Sequence, residues 1–293
     1  MKKTIFIFLI TLIHFTISAQ EEMLKGLYVD GFVDIIDITS MEDELLEYAQ
    51  QNNFNYLIIY NINKIHRNRF PLDSEMTDDP FAKFIKKAKT KYGIKRISVV
   101  GEKAISFDPV LQYNLHHIDN EDELVDGFLL EFEFWNSKKV RYEGEYCEDY
   151  FKDAGIPCSR AGAFYFYMEQ LKILRTVASE FHINLESYVG SVSKEEMQKL
   201  IQYLNTIHID YYRKDTKKIA DYKSNRMEAV IDGKSKVEVF PIFSSREKHM
   251  QNWLNEHSID EVFPVFMEML GEEKNLKPVV QNIKGHIWYR YSS

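Results

Sequence analysis

Two glutamates set two positions apart, Glu131 and Glu133, interrupt an otherwise apolar run over residues 125–135 (VDGFLLEFEFW). Side chains of an extended strand alternate between faces, so these carboxyl groups are expected to point the same way, roughly 7 Å apart. Leu129 and Trp135 share that face, whereas Phe128, Leu130, Phe132 and Phe134 form an apolar stripe on the other. Cleavage of a glycosidic bond needs one carboxylic acid to protonate the departing oxygen and a second group to support the cationic carbon. Glu133, flanked by Phe132, Phe134 and Trp135, is expected to keep its proton through desolvation, leaving Glu131 to carry the charge. The structural alternative for both is an ion pair inside the protein, with Arg290 or Arg213 reaching across.

The elements that position this pair alternate in type. Short apolar runs predict strands over residues 25–32, 55–61, 94–101, 125–135, 183–190, 206–212, 236–243 and 284–291. Helical spacing predicts helices over 42–51, 81–92, 109–115, 160–181, 193–204 and 250–270, with Ser40 as a cap, Gly93 as a stop and Ser193–Glu196 as a capping box. Eight strands alternating with helices favour an α/β fold, a (β/α)8 TIM barrel occupying residues 20–293 as a single domain. The chain has no helix pattern after the eighth strand, so the barrel is expected to lack its last outer helix there. Neither Gly-x-Gly-x-x-Gly, a P-loop nor Gly-x-Ser-x-Gly occurs. In such barrels chemistry sits at the carboxyl ends of the strands, where Glu131 and Glu133 fall.

Residues 1–19 read as an export signal: Lys2 and Lys3 precede an apolar run, and Ser18-Ala19 offers a cleavage site. An uncleaved anchor is the alternative reading. Export predicts a periplasmic, cell-surface or extracellular protein without a membrane span in its mature chain. Without Lys2 and Lys3 the chain has 35 basic against 45 acidic residues, a net charge of about −10, which argues against nucleic acid as a partner. Cys147 and Cys158 are the only cysteines; in an exported protein they are expected to form a disulfide, two free thiols being the alternative. They lie in a long polar insertion over residues 138–159, either a lid or a tethered loop.

Further polar residues fall at strand ends. Glu186, in phase with Asn184 and Tyr188, is a candidate second carboxylate, or else a salt-bridged or solvent-facing one. Asp30 and Asp210 would line the mouth or serve as turn and cap residues, and Tyr28, Tyr60 and Trp288 would stack on sugar or pack in the core. The pair His116-His117 lacks a ligand at helical spacing and is expected at the surface, so no metal and no organic cofactor is expected.

The run Asp126-Gly127-Phe128-Leu129-Leu130-Glu131-Phe132-Glu133 resembles the strand-four motif Asp-Gly-x-Asp-x-Asp-x-Glu of glycoside hydrolase family 18, the chitinases and endo-β-N-acetylglucosaminidases. The resemblance implies Glu133 as acid/base and Glu131 as the group supporting the substrate's N-acetyl substituent. Leu129 departs from the pattern where a buffering aspartate is expected. By the same resemblance, Tyr211 or Tyr212 would contact the N-acetyl carbonyl and Trp288 would floor the pocket, with Asp30, Tyr28 and Glu186 as substrate contacts. It implies retaining, substrate-assisted hydrolysis of an N-acetylglucosamine-containing glycan by a monomer. A barrel that binds carbohydrate without cleaving it, or a cell-surface interaction protein, are the rival readings.

Overall fold

The computed structural model describes residues 22–217 and 224–292; the expected export signal lies outside them. Eight strands are present: β1 (Leu24–Asp30), β2 (Tyr56–Ile59), β3 (Arg96–Gly101), β4 (Gly127–Leu130), β5 (Asn184–Val189), β6 (Thr206–Asp210), β7 (Glu238–Ser244) and β8 (Gly285–Ser292). Each pairs in parallel with the next, and β8 returns to β1 through Leu24↔Gly285 to Asp30↔Ser292, so the chain is a closed (β/α)8 barrel. The sheet is thus closed on the flank where the last outer helix was expected to be lacking, with a register shift between Leu27 and Val29.

Helices separate the strands, among them Thr39–Gln51, Asp79–Tyr92, Asp108–His116, Arg160–Glu180 and Lys194–Leu200. Gly93 ends the second of these at φ 73°, a conformation that costs a residue with a Cβ. Ser193 and Glu196 form the expected capping box. Ser40 falls inside its helix, which starts at Thr39. The single helix expected over 250–270 is two, Gln251–Leu254 and Val262–Glu272, because a capping box at Ser258 and Glu261 restarts the chain. The helix Ser224–Asp232 between β6 and β7 escaped the sequence reading. No helix among the described residues is long and apolar enough to cross a membrane. His116 and His117 are not free surface residues; they sit 3.1 and 3.4 Å from the buried Asp78 carboxylate, and His117 also meets Glu123 at 2.8 Å.

Alternation along each strand divides the core in two. Leu57, Val99, Phe128 and Leu130 pack outward against the helices, while Tyr28, Ile58, Val100, Leu129, Ile242 and Ile287 fill the lumen. At the amino-terminal end the lumen is polar. Glu186 is fully buried there and accepts hydrogen bonds from Ser98 Oγ (2.8 Å), Asn184 Nδ2 (2.7 Å) and Tyr56 Oη, with His208 Nε2 at 3.0 Å. Beside it Arg96 pairs with Glu238 at 3.0 Å, and Thr206 donates to the same carboxylate. Burial alone would raise the Glu186 carboxyl, yet the His208, Arg96 and Tyr56 contacts prevail and hold it down at about 2. Gly127 is required next to it, since a Cβ there would collide with Ser98 Oγ and a Glu186 oxygen.

This cluster predicts that Glu186→Leu destabilises the fold by about 3–5 kcal/mol in urea unfolding, because its donors stay buried without an acceptor. Because the folded-state carboxyl is depressed, its contribution is complete above the unfolded value near pH 4.5 and disappears as pH falls toward 2. Wild type and Glu186→Leu should therefore converge in stability in strong acid, and a difference that stays constant with pH would contradict the charged state.

Candidate active site

At the carboxyl end of the barrel the residues just past the strands turn inward in the same alternation. Tyr60 follows β2, Glu102 follows β3 and Glu131 follows β4, where the Glu131 amide still donates to Gly101 O at 2.9 Å. β4 itself is only Gly127–Leu130, shorter than expected. Glu133 thus lies in the following turn rather than on a straight strand, its amide donating to Tyr146 Oη at 3.3 Å.

The two carboxyl groups live in different surroundings. Glu131 Oε2 is sealed from solvent and has no hydrogen-bond partner among the described residues. Burial first, then the neighbouring Glu133 and Glu102 carboxylates, push its carboxyl up to about 8, against a small opposing pull from Lys139. Glu133 is partly exposed, accepts from Asn136 Nδ2 at 3.1 Å and lies 3.5 Å from Lys139 Nζ. The desolvation expected at Glu133 therefore falls on Glu131, and Glu133 has Lys139 beside it as a counter-charge. The reason is directional, since Phe132 and Phe134 pack outward in the helix layer and do not desolvate Glu133. Lys139 is the cation beside Glu133, and Arg290 is engaged by Asp30.

Tyrosines surround Glu131. Its charge would raise the hydroxyls of Tyr28, Tyr60, Tyr188, Tyr212 and Tyr289, each already pushed up by burial or by that same charge. Tyr28 Oη is sealed and without a partner among the described residues, and its ring meets Tyr289 edge-on at 5.6 Å. Tyr212 stacks on His249 at 4.7 Å, and Trp135 packs on Tyr188 at 5.6 Å. Gly190 makes room for that indole: a Cβ there would come within 2.5 Å of Trp135 Nε1.

The insertion after β4 roofs one side. Cys147 and Cys158 are joined in a disulfide, with Cα atoms 5.1 Å apart. The tethered segment presents Tyr150 Oη to Glu102 at 2.8 Å and stacks Tyr146 on Phe132 at 4.1 Å. A cavity of about 690 Å³ opens here between the loops that follow β2 and β3, with Tyr60, Glu102 and Tyr150 among its lining residues.

Several sequence candidates lie elsewhere. Tyr211 is fully buried and packs edge-on against Phe266 of an outer helix, so it faces away from the lumen. Trp288 likewise packs on Phe243 in the outer layer. Glu186 is inward but sealed at the opposite end, its capacity for hydrogen bonds taken by the residues described above. Asp30 is at the mouth, paired with Arg290; Asp210 is buried and held by Arg226 at 3.0 Å. Glu102, Lys139 and Tyr289 were missed, although Glu102 continues the inward phase of Ser98 and Val100 and was open to discovery on that ground.

No protein-family model and no curated protein matches this chain. Solved structures that resemble it include 3-keto-D-glucoside 4-epimerase YcjR from E. coli, at 10% identity, 93% of both chains and TM-score 0.51. An F420-dependent secondary alcohol dehydrogenase aligns at 8% identity over 92% of this chain and 94% of its own, TM-score 0.47. The YdjI aldolase from E. coli K12 aligns at 6% identity over 92% and 75%, TM-score 0.44. Likeness at such identities shows the barrel fold alone. The resemblance to glycoside hydrolase family 18 is overturned: no family model matches the chain, and the structure that aligns with it at TM-score 0.51 is an epimerase. Of the two tyrosines implied to contact the N-acetyl carbonyl, Tyr211 faces the outer helices and only Tyr212 faces the lumen.

The environment of Glu131 predicts a carboxyl resonance titrating with a midpoint near 8 in carbon-detected NMR. In Glu133→Gln the midpoint should move down, because one like charge is removed while burial persists. A Glu131 midpoint near 4.5 in the wild-type protein would show that the group is solvated.

Proposed function

We propose that this barrel hydrolyses a glycosidic bond, with Glu131 as the general acid and Glu133 as the charged partner. The observation that carries the reading is a carboxyl group at the carboxyl end of the barrel whose Oε2 is sealed among tyrosines without a donor among the described residues, close to a second carboxylate, surroundings that favour its protonated form. Glu131 would give its proton to the leaving oxygen as the anomeric carbon–oxygen bond breaks. Glu133, oriented by Asn136 and Lys139, would either attack the anomeric carbon, after which Glu131 takes a proton from the water that breaks the new bond and releases Glu133, or take a proton from the attacking water and pass it to solvent, from which Glu131 is reprotonated. Aromatic rings such as Tyr212 and Trp135 supply flat apolar faces of the kind that pack on sugar rings. Export of residues 20–293 as one domain suits a glycan met outside the cytoplasm, and the disulfide suits an oxidising compartment.

A second reading is a barrel that holds a glycan without cleaving it. It is favoured by the Lys139 contact, which neutralises Glu133 in the absence of substrate.

Release of reducing ends from a panel of neutral and acidic oligosaccharides separates the two. For a hydrolase, Glu131→Gln should lower kcat by about 10²–10⁴-fold, the usual contribution of a general acid. Because the acid must be protonated, kcat/KM should fall as pH rises through about 8. Binding of a panel member without turnover by the wild-type protein would establish the second reading instead.

A further inference from the structure

The 690 Å³ cavity beside the carboxyl cluster has an outer wall of opposite character. Lys64 and Arg67, on the helix Ile62–Asn68 after β2, and Lys103, after β3, all line it. They come from segments far apart in sequence, in a chain whose formal net charge is −8. The single carboxylate in the lining is Glu102, and it is occupied by the Tyr150 and Tyr146 hydroxyls at 2.8 and 3.5 Å. Among the described residues neither Lys64, Arg67 nor Lys103 has an ion-pair partner. Arg67 uses only Nε, donating to Asn63 O at 3.1 Å, and Lys103 lies 5.2 Å from the Tyr150 ring centre.

We infer that this cavity recognises an anionic group on the substrate, and that the glycan is an acidic one carrying a carboxylate or a sulfate ester near the bond to be cleaved. The inference rests on the glycosidase reading for the identity of the ligand as a sugar. Three cations lining one concave space against a single carboxylate, Glu102, attract an anion more strongly than the same groups spread over an open surface.

Calorimetric titration of Glu131→Gln, chosen to suppress turnover, tests the inference with three tetrasaccharides: a hexuronate, a sulfated hexosamine and a neutral hexose. At least one anionic probe should bind tenfold or more tightly than the neutral one, and which of the two does so identifies the anion. Rising salt should weaken that binding, and Lys64→Gln combined with Lys103→Gln should abolish the preference. Equal binding of all three, no binding of any, or a preference that survives the double substitution would overturn it. Wild-type cleavage of neutral glycans alone would overturn this inference and leave the hydrolase reading standing. Anion-dependent binding without any wild-type cleavage would do the reverse.

Discussion

A closed eight-stranded barrel must fill its own lumen, and here the lower half is filled by one charge. Glu186 is a fully buried carboxylate that survives because Tyr56, Ser98, Asn184 and His208 converge on it from four other positions in the wall. These side chains come from β2, β3, β5 and β6, so satisfying the charge fixes how those strands align. Gly127 in β4 has no side chain because Ser98 and Glu186 occupy its place. With that end plugged by polar groups and the middle by Leu129, Val100 and Ile58, the space that remains is at the opposite mouth.

The same lumen holds a second carboxyl group in the opposite state. Glu131 is less completely enclosed than Glu186, but its Oε2 is sealed and receives no donor among the described residues, and the like charges of Glu133 and Glu102 act on it. One carboxyl is therefore held down at about 2 and the other raised to about 8. The difference lies in what faces each group and not in depth of burial. The two act on stability with opposite signs. Glu186 favours the folded state more as pH rises above the acid range. Glu131 favours it fully only below the unfolded value near 4.5, and that contribution is lost as pH rises through about 8.

Much of the architecture was legible because it rests on local pattern. Runs such as residues 55–61 and 206–212 are apolar, of strand length and bounded by polar turns, and each contains the strand found there. The site was legible only in part, because its electrostatics are not local. The aromatic residues adjacent to Glu133 in sequence point outward, whereas the groups that desolvate Glu131 arrive from other strands as Tyr28, Tyr60, Tyr188 and Tyr212. Tyr211 and Tyr212 show the limit most clearly. Adjacent in sequence and chemically identical, they face opposite sides of the wall, and only the phase set by Thr206, His208 and Asp210 tells them apart. In β8 that phase is hidden, since Ile287, Trp288 and Tyr289 would be at home on either face.

Most residues of the Asp126–Glu133 run have a reason within this fold. Asp126 is explained by packing at the amino-terminal end of β4: its carboxylate accepts from the Ile97 amide at 2.7 Å and pairs with Lys89 at 2.8 Å. Gly127 is explained by the collision a side chain would cause, and Phe128, Leu130 and Phe132 by the helix layer. Once these are accounted for, what the fold leaves unexplained is the pair Glu131 and Glu133. A buried carboxyl oxygen without a donor works against folding, and the surrounding tyrosines include one, Tyr28, whose hydroxyl is also sealed and without a partner among the described residues. A fold that satisfies Glu186 so completely at one end of its lumen is able to satisfy a second carboxyl at the other. Leaving Glu131 uncompensated is where structure and stability diverge, and such divergence is the mark of a site shaped for a ligand or a reaction.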